Sequence, residues 1–133
     1  MTAAGSIPVS ALTGDAVVAV GSGETLHTVA TLMNDQGIGA VIVGSMDKVE
    51  GIVTERDLVR AMAEGKDPTS TTAMSVASTS LVWCEATSTV FDVAEEMLER
   101  YIRHVLVEDG GTLVGMISAR DILGIYITDE EAG

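Results

Sequence analysis

The 133-residue sequence predicts an α/β fold built from two copies of one β-α-β-β-α unit, packed together as a pseudo-twofold pair. Three observations predict it. The stretch Gly51-Ile52-Val53-Thr54-Glu55-Arg56-Asp57-Leu58-Val59 returns 64 positions later as Gly115-Met116-Ile117-Ser118-Ala119-Arg120-Asp121-Ile122-Leu123, and a fixed offset of about half the chain marks two copies of one supersecondary unit. Upstream the register holds without a gap, pairing Val18 with Val82, Thr25 with Thr89, Val29 with Val93, Met33 with Met97 and Val41 with Val105. A unit of about sixty residues buries too little of its surface to stand alone, while 47% hydrophobic residues with only 3% aromatics supply a shared core of Val, Ile, Leu, Ala and Met.

In the first copy, residues 17–20 read as a short apolar strand. Thr25 can cap a helix to about residue 36, with Leu26, Val29, Ala30, Leu32 and Met33 on its inner side, and Gly37 and Gly39 stop it. Residues 40–43 are a second apolar strand, 45–48 a turn and 49–53 a third strand. Thr54 opens a second helix through about residue 64.

The second copy repeats this order. Residues 81–84 read as a strand, and Thr89 caps a helix to about residue 101. Residues 104–107 and 113–117 form a hairpin across Asp109-Gly110-Gly111, a strong turn signal. Ser118 opens the last helix, which fades into an acidic tail at 129–133. Between the copies, residues 65–80 are rich in Ser and Thr and contain Pro68, which suits a linker. The expected division is 1–64, repeat 1 with an N-terminal arm, and 65–133, linker and repeat 2. The lead-in at 7–12 is expected to pack as that arm, with 74–77 as its counterpart.

No apolar run approaches the roughly 20 residues that span a bilayer, and residues 1–10 have neither a basic n-region nor an apolar h-region. Cys84 is the only cysteine, so no internal disulfide forms. Its neighbours Leu81, Val82 and Trp83 suggest a strand and an inert thiol rather than a nucleophile. A soluble, cytoplasmic protein is expected. The net charge of −13, with Lys48 and Lys66 the only lysines, argues against binding to nucleic acid or to anionic membranes. An anionic small ligand would have to be held by a few local cations.

Thr54 and Asp57, like Ser118 and Asp121, fit the Ser/Thr-x-x-acid capping box, worth about 1 kcal/mol per helix as a structural device. The same helix start carries free amides and the positive end of the helix dipole, a seat for phosphate. A nearby carboxylate can also accept both hydroxyls of a ribose. Arg56 and Arg120 sit in the first turn, where a cation opposes the dipole, so local stability does not explain them. They are either solvated or ion-paired side chains, or charge-assisted contacts to phosphate, each such bond worth about 1.5–3 kcal/mol.

The element order, and the ending Gly-hydrophobic-hydrophobic-Thr/Ser-x-x-Asp in both copies, resemble the CBS motif, a nucleotide-sensing unit found in tandem as a Bateman module. The resemblance runs from about residue 7 to residue 127. It implies that Asp57 and Asp121 bind ribose hydroxyls and that Thr54 and Ser118 contact phosphate or ribose. Arg103-His104, ahead of the strand at 105–107, is similar to the paired basic residues that some CBS modules use to reach phosphates. A structural role for His104 stays open beside that one. The first copy has Gly39-Ala40 there, and the proline many members carry in that strand is replaced by Ile42 and Leu106. The two sites are therefore expected to differ, one suited to a charged nucleotide and the other weaker or suited to a less anionic ligand.

Other patterns carry less. Gly21-Ser22-Gly23 lacks the third glycine of a dinucleotide-binding turn, whose place Leu26 holds, and reads as a flexible loop. Ser118, His104 and Asp121 have no nucleophile elbow around them. His27, His104 and Cys84 make no zinc set. Met33, Met62, Met74 and Met97 read as core filler. The expected function is a non-enzymatic regulatory module that binds an adenine nucleotide (AMP, ADP or ATP) or a related adenosyl ligand in the cleft between the repeats. Adenine would lie near Val18, Ala40, Val82 and Val105, and phosphates would face Arg56, Arg120, Arg103 and His104. A homodimer and an unidentified client protein are the expected partners. The alternatives are a ligand-free CBS-pair scaffold for homodimerisation or partner binding, and an enzyme hydrolysing its ligand in the same cleft.

Overall fold

Two threonines at matched positions start the first helix of each repeat. The computed structural model describes residues 3–12 and 17–132. In the first repeat, β1 (Ala19–Val20) leads to α1 (Leu26–Gln36), whose N-cap Thr25 accepts the Thr28 N–H at 3.2 Å. Leu26, Val29 and Met33, spaced along one helix face, are its buried residues. Gly37, at φ 66°, ends it by donating its N–H to the Met33 carbonyl. β2 (Ala40–Gly44) and β3 (Val49–Thr54) then form a hairpin in which Ser45 and Lys48 exchange backbone hydrogen bonds. β2 is the middle strand, parallel to β1 and antiparallel to β3, with Ile42 opposite both Ala19 and Ile52. Buried almost throughout, it reads as the unbroken apolar run a central strand needs. Gly44 sits in a bulge at φ 113°, where a Cβ would collide with the Lys48 carbonyl. α2 (Glu55–Ala63) follows without a loop, and the short α3 (Ala73–Val76) lies in the stretch expected to be linker.

The second repeat has β4 (Trp83–Glu85), α4 (Val90–Arg100), β5 (His104–Asp109), β6 (Thr112–Ser118) and α5 (Ala119–Ala132). Its sheet order is β4-β5-β6, with Leu106 opposite both Trp83 and Met116. Thr89 caps α4 by accepting the Asp92 N–H at 3.2 Å. No glycine ends this helix: Tyr101 takes the left-handed position at φ 55°, at a cost of about 1 kcal/mol. α5 continues through Ala132, so the expected acidic tail is helical to that residue, and Gly133 lies outside the described residues.

The compact units do not follow chain order. Val17–Leu81 form one, and the N-terminal segment with the residues from Val82 onward forms the other. The lead-in of each repeat therefore belongs to the other repeat's unit. The N–H of Val9 bonds to the Ser88 carbonyl at 2.8 Å, that of Ser10 to Ala86 at 3.2 Å, and that of Val90 back to Ile7 at 2.8 Å. At matched positions, the N–H of Ala73 bonds to Glu24 at 2.7 Å, that of Met74 to Ser22 at 3.3 Å, and that of Leu26 to Thr71 at 3.0 Å. Val9 and Ala73 are wholly buried. Val9 packs with Val90, Val93 and Ile117, and Ala73 with Val29, Val41 and Val53. The arm and its counterpart are thus one strap, used twice, each held by the other repeat's unit. Met33 and Met97 are core, but Met62 is 79% exposed and fills nothing, because α2 buries only Ala61.

Candidate functional site

β3 runs directly into α2, so Thr54 is both the last strand residue and the helix N-cap. Extended at φ −111° and ψ 168°, it presents Oγ1 to the Asp57 N–H at 3.4 Å. Asp57 Oδ2 in turn accepts the Thr54 N–H at 2.8 Å and the Thr54 hydroxyl at 3.0 Å. At the junction of β6 and α5, Ser118 Oγ accepts the Asp121 N–H at 3.1 Å, and Asp121 Oδ2 accepts the Ser118 N–H at 2.9 Å. Both are complete capping boxes. Capping is therefore satisfied twice, and it uses one oxygen of each carboxylate. Asp57 Oδ1 faces Arg60 Nη1 at 3.9 Å, while Asp121 Oδ1 has no partner among the described residues.

The strand before each hairpin contributes at the same edge. His104 stands opposite Ser118 in the β5–β6 ladder, and the Ala119 N–H bonds to the Arg103 carbonyl at 2.8 Å. Arg103, His104, Ser118 and Asp121 thus gather at one end of one sheet. In the first repeat the same places hold Gly39, Ala40, Thr54 and Asp57, with the Glu55 N–H bonded to the Gly39 carbonyl at 3.0 Å. A Cβ at Gly39 would stand 3.1 Å from Glu55 Oε1. Where the second repeat carries Arg103 beside Ala119, the first therefore lays a carboxylate along a glycine.

Of the seven basic residues, Arg60, Lys66 and Arg100 have carboxylate partners. Lys48, Arg56, Arg103 and Arg120 have no ion pair among the described residues, although the chain carries 20 acidic residues. Arg56, Arg103 and Arg120 are exposed, and Asp57, Asp121 and His104 are half-buried. The positions proposed for adenine fare worse. Ala40 and Val105 are 2% and 1% exposed, so neither offers a surface to a ring; Val18 and Val82 stay half-buried.

Each aspartate lines a cavity in its own unit, with neighbours that the sequence did not single out. About 160 Å³ opens beside Asp57, bounded by Arg60, Ala61 and Glu64 of the α2 end and by Ser75 and Val76 of the strap. About 480 Å³ opens beside Asp121, bounded by Gly124, Ile125 and Thr128 of α5 and by Ala11 and Leu12 of the N-terminal strap. Arg120 also lines this second cavity. Six wall residues of each cavity pair at the offset of 64 positions, so one crevice is built twice; Lys66 in the first wall and Arg120 in the second have no counterpart in the other. The offset that pairs the motifs also pairs Ala11 with Ser75, and that was the available signal.

Burial, and then the nearby Glu108 carboxylate, push the Cys84 thiol up to about 11, so it stays protonated and unreactive at neutral pH. Among the described residues no three of His, Cys, Asp and Glu gather as a metal set, and no helix is long and apolar enough to cross a membrane.

The family model for the CBS domain matches residues 9–64 and 73–127. Hypoxic response protein 1 of Mycobacterium tuberculosis is 35% identical over 108 residues, covering 80% of this chain and 76% of that protein. Among solved structures, a CBS domain protein from Pyrobaculum aerophilum complexed with AMP is similar at TM-score 0.80 and 30% identity, over 94% of this chain and 99% of that one. A hexameric CBS-CP12 protein from bloom-forming cyanobacteria is similar at TM-score 0.81 and 29% identity, over 89% of this chain and 71% of that one.

Proposed function

The chain belongs to the CBS domain family, as two CBS domains in tandem, and from that premise we propose a non-catalytic sensor of an adenine nucleotide or related adenosyl ligand. One observation carries the reading: a crevice built twice, in which an aspartate already committed to its helix cap keeps a second carboxylate oxygen for another partner. The cap holds the carboxylate in one orientation before any ligand arrives, and such preorganisation reduces the ordering cost of binding. Asp57 and Asp121 accept ribose hydroxyls, with Thr54 and Ser118 beside them. Arg56, Arg103, Arg120 and His104 meet the phosphates. The three arginines lack carboxylate partners among the described residues, so a phosphate need displace no anion to reach them. The AMP held by the Pyrobaculum relative supports adenine as the base. A ligand can shift the module's conformation only by its differential affinity for two states, and the output passes to a client protein or to the assembly.

Equilibrium binding of labelled AMP and ATP to the wild-type chain tests the reading. Saturable binding below millimolar concentration is the expected result. If no adenosine ligand binds at millimolar concentration, the sensor reading is lost. A second reading, a ligand-free scaffold, is favoured by a different observation. α2 and α5 expose apolar side chains at matched positions, Val59 at 66% and Leu123 at 62%, with Met62 and Ile127 nearby. These faces suit pairing between copies of the chain, and the hexameric relative supports oligomerisation. Sedimentation equilibrium, expected to give a homodimer, checks it.

A further inference from the structure

Resting on the nucleotide reading, we infer that the two crevices are unequal: the one at Asp121 is the primary site for an anionic adenine nucleotide, and the one at Asp57 fills only at much higher concentration. Three differences at matched positions point the same way. The first is space. The Asp121 crevice, about 480 Å³ and open to solvent, leaves room that the narrower Asp57 crevice, about 160 Å³, lacks. Arg60 and Glu64 stand where the second repeat has Gly124 and Thr128, so two long side chains take up the room.

The second difference is occupancy of the carboxylate. Asp57 Oδ1 already faces the Arg60 guanidinium at 3.9 Å, and a ribose hydroxyl must compete with that cation. Arg60 is 62% exposed, and exposed pairs are weak, so the pair lowers affinity without sealing the site. The Oδ1 of Asp121 has no such competitor among the described residues.

The third difference is charge. Glu55 lies along Gly39 at the helix start, at the place where the second repeat has Arg103 and Ala119. A carboxylate in the first turn suits the helix dipole, yet the dipole does not require a glycine for it to lie against. A phosphate approaching the first helix start meets Glu55 beside Arg56, and the cations of that crevice, Arg60 and Lys66, are already paired with Asp57 and Glu64. At the second it meets Arg103 and Arg120.

Isothermal titration of AMP and of adenosine into the full chain tests this. The wild type is expected to show two AMP phases at least about tenfold apart. Asp121→Ala removes the tight phase and Asp57→Ala keeps it. Arg103→Ala, an exposed position outside the cap, weakens tight AMP binding about tenfold and leaves adenosine binding unchanged. Glu55→Gln in the Asp121→Ala background strengthens AMP binding at the remaining site several-fold, again without moving adenosine. Two equal AMP phases, or loss of the tight phase in Asp57→Ala, overturns the inference while leaving the nucleotide reading intact. An unchanged AMP-to-adenosine ratio in both Arg103→Ala and Glu55→Gln does the same. Absence of both ligands from the wild type at millimolar concentration overturns the nucleotide reading itself, and this inference with it.

Discussion

Asp121 both caps a helix and is assigned to a ligand, so replacing it should move two measurements by separable amounts. Asp121→Ala removes the acceptor of the Ser118 N–H, now held at 2.9 Å. Loss of half a capping box costs about 1 kcal/mol, and Ser118 is half-buried, so water can recover part of the bond. In a chain of this size that loss lowers the melting temperature by about 4 °C. The ligand effect is larger. A hydrogen bond to a charged group is worth about 1.5–3 kcal/mol, which corresponds to an affinity loss of roughly tenfold to a hundredfold. Asp121→Asn keeps a side-chain oxygen for the Ser118 N–H but removes the charge, so it should melt near the wild type and still bind AMP weakly. Thermal melts without ligand and calorimetric titration with AMP measure the two effects. If Asp121→Ala melts lower by the cap's amount and binds AMP like the wild type, the aspartate is a cap alone and the sugar-gripping role is wrong.

The motif glycine Gly51 is explained by the strap: a Cβ there would stand 3.0 Å from the Ala77 Cβ and 3.1 Å from the Ser78 carbonyl oxygen. Gly51→Val should therefore cost about 1–3 kcal/mol in a urea titration, and unchanged stability would mean the strap does not pass there. Val9→Ala should cost about 2 kcal/mol, two buried methyl groups plus the cavity they leave, and deleting residues 3–12 should unprotect the Val90 amide, now bonded to Ile7, in hydrogen exchange. Persistent protection of that amide in the truncated chain would refute the exchange of straps. Cys84, with its thiol at about 11, should resist iodoacetamide at neutral pH and react only as pH climbs, whereas a free thiol near 8.5 reacts much earlier. The folded state holds this proton more tightly than the unfolded one. The contribution to stability is therefore intact below the free thiol's pKa and falls between about pH 8.5 and 11.

Local chemistry was the legible part of the sequence. Thr25, Thr54, Thr89 and Ser118 each mark the residue before a helix, because a side-chain cap is decided within four residues. Strand limits were less legible, since a strand ends where its partner does. The run at 17–20 pairs only over Ala19–Val20, and the run at 81–84 pairs over Trp83–Glu85. Periodicity could not tell which apolar residues face outward, which is why Met62 looked like core and is exposed. Nor could it place the straps. Their hydrogen bonds join Val9 to Ser88 across most of the chain, and an extended segment of few residues carries no pattern that names its partner. The crevice walls follow from the straps, so Leu12 and Val76 were invisible as site residues for the same reason.

Under the proposed nucleotide reading, duplication also explains how one copy could change its ligand without losing its fold. Folding asks each aspartate for Oδ2, which accepts the N-cap amide in both repeats at 2.8 Å and 2.9 Å. The proposed binding role asks for Oδ1 and for what surrounds it. The two demands fall on different atoms of one side chain, so the residues that alter the second, Arg60 against Gly124 and Glu55 against Ala119, leave the first untouched. A site that used the capping oxygen itself would tie affinity to stability, and every change of ligand would weaken the helix start. Here the cap can stay constant while the charge and width of the crevice vary, which is the physical condition for two unequal sites on one repeated frame.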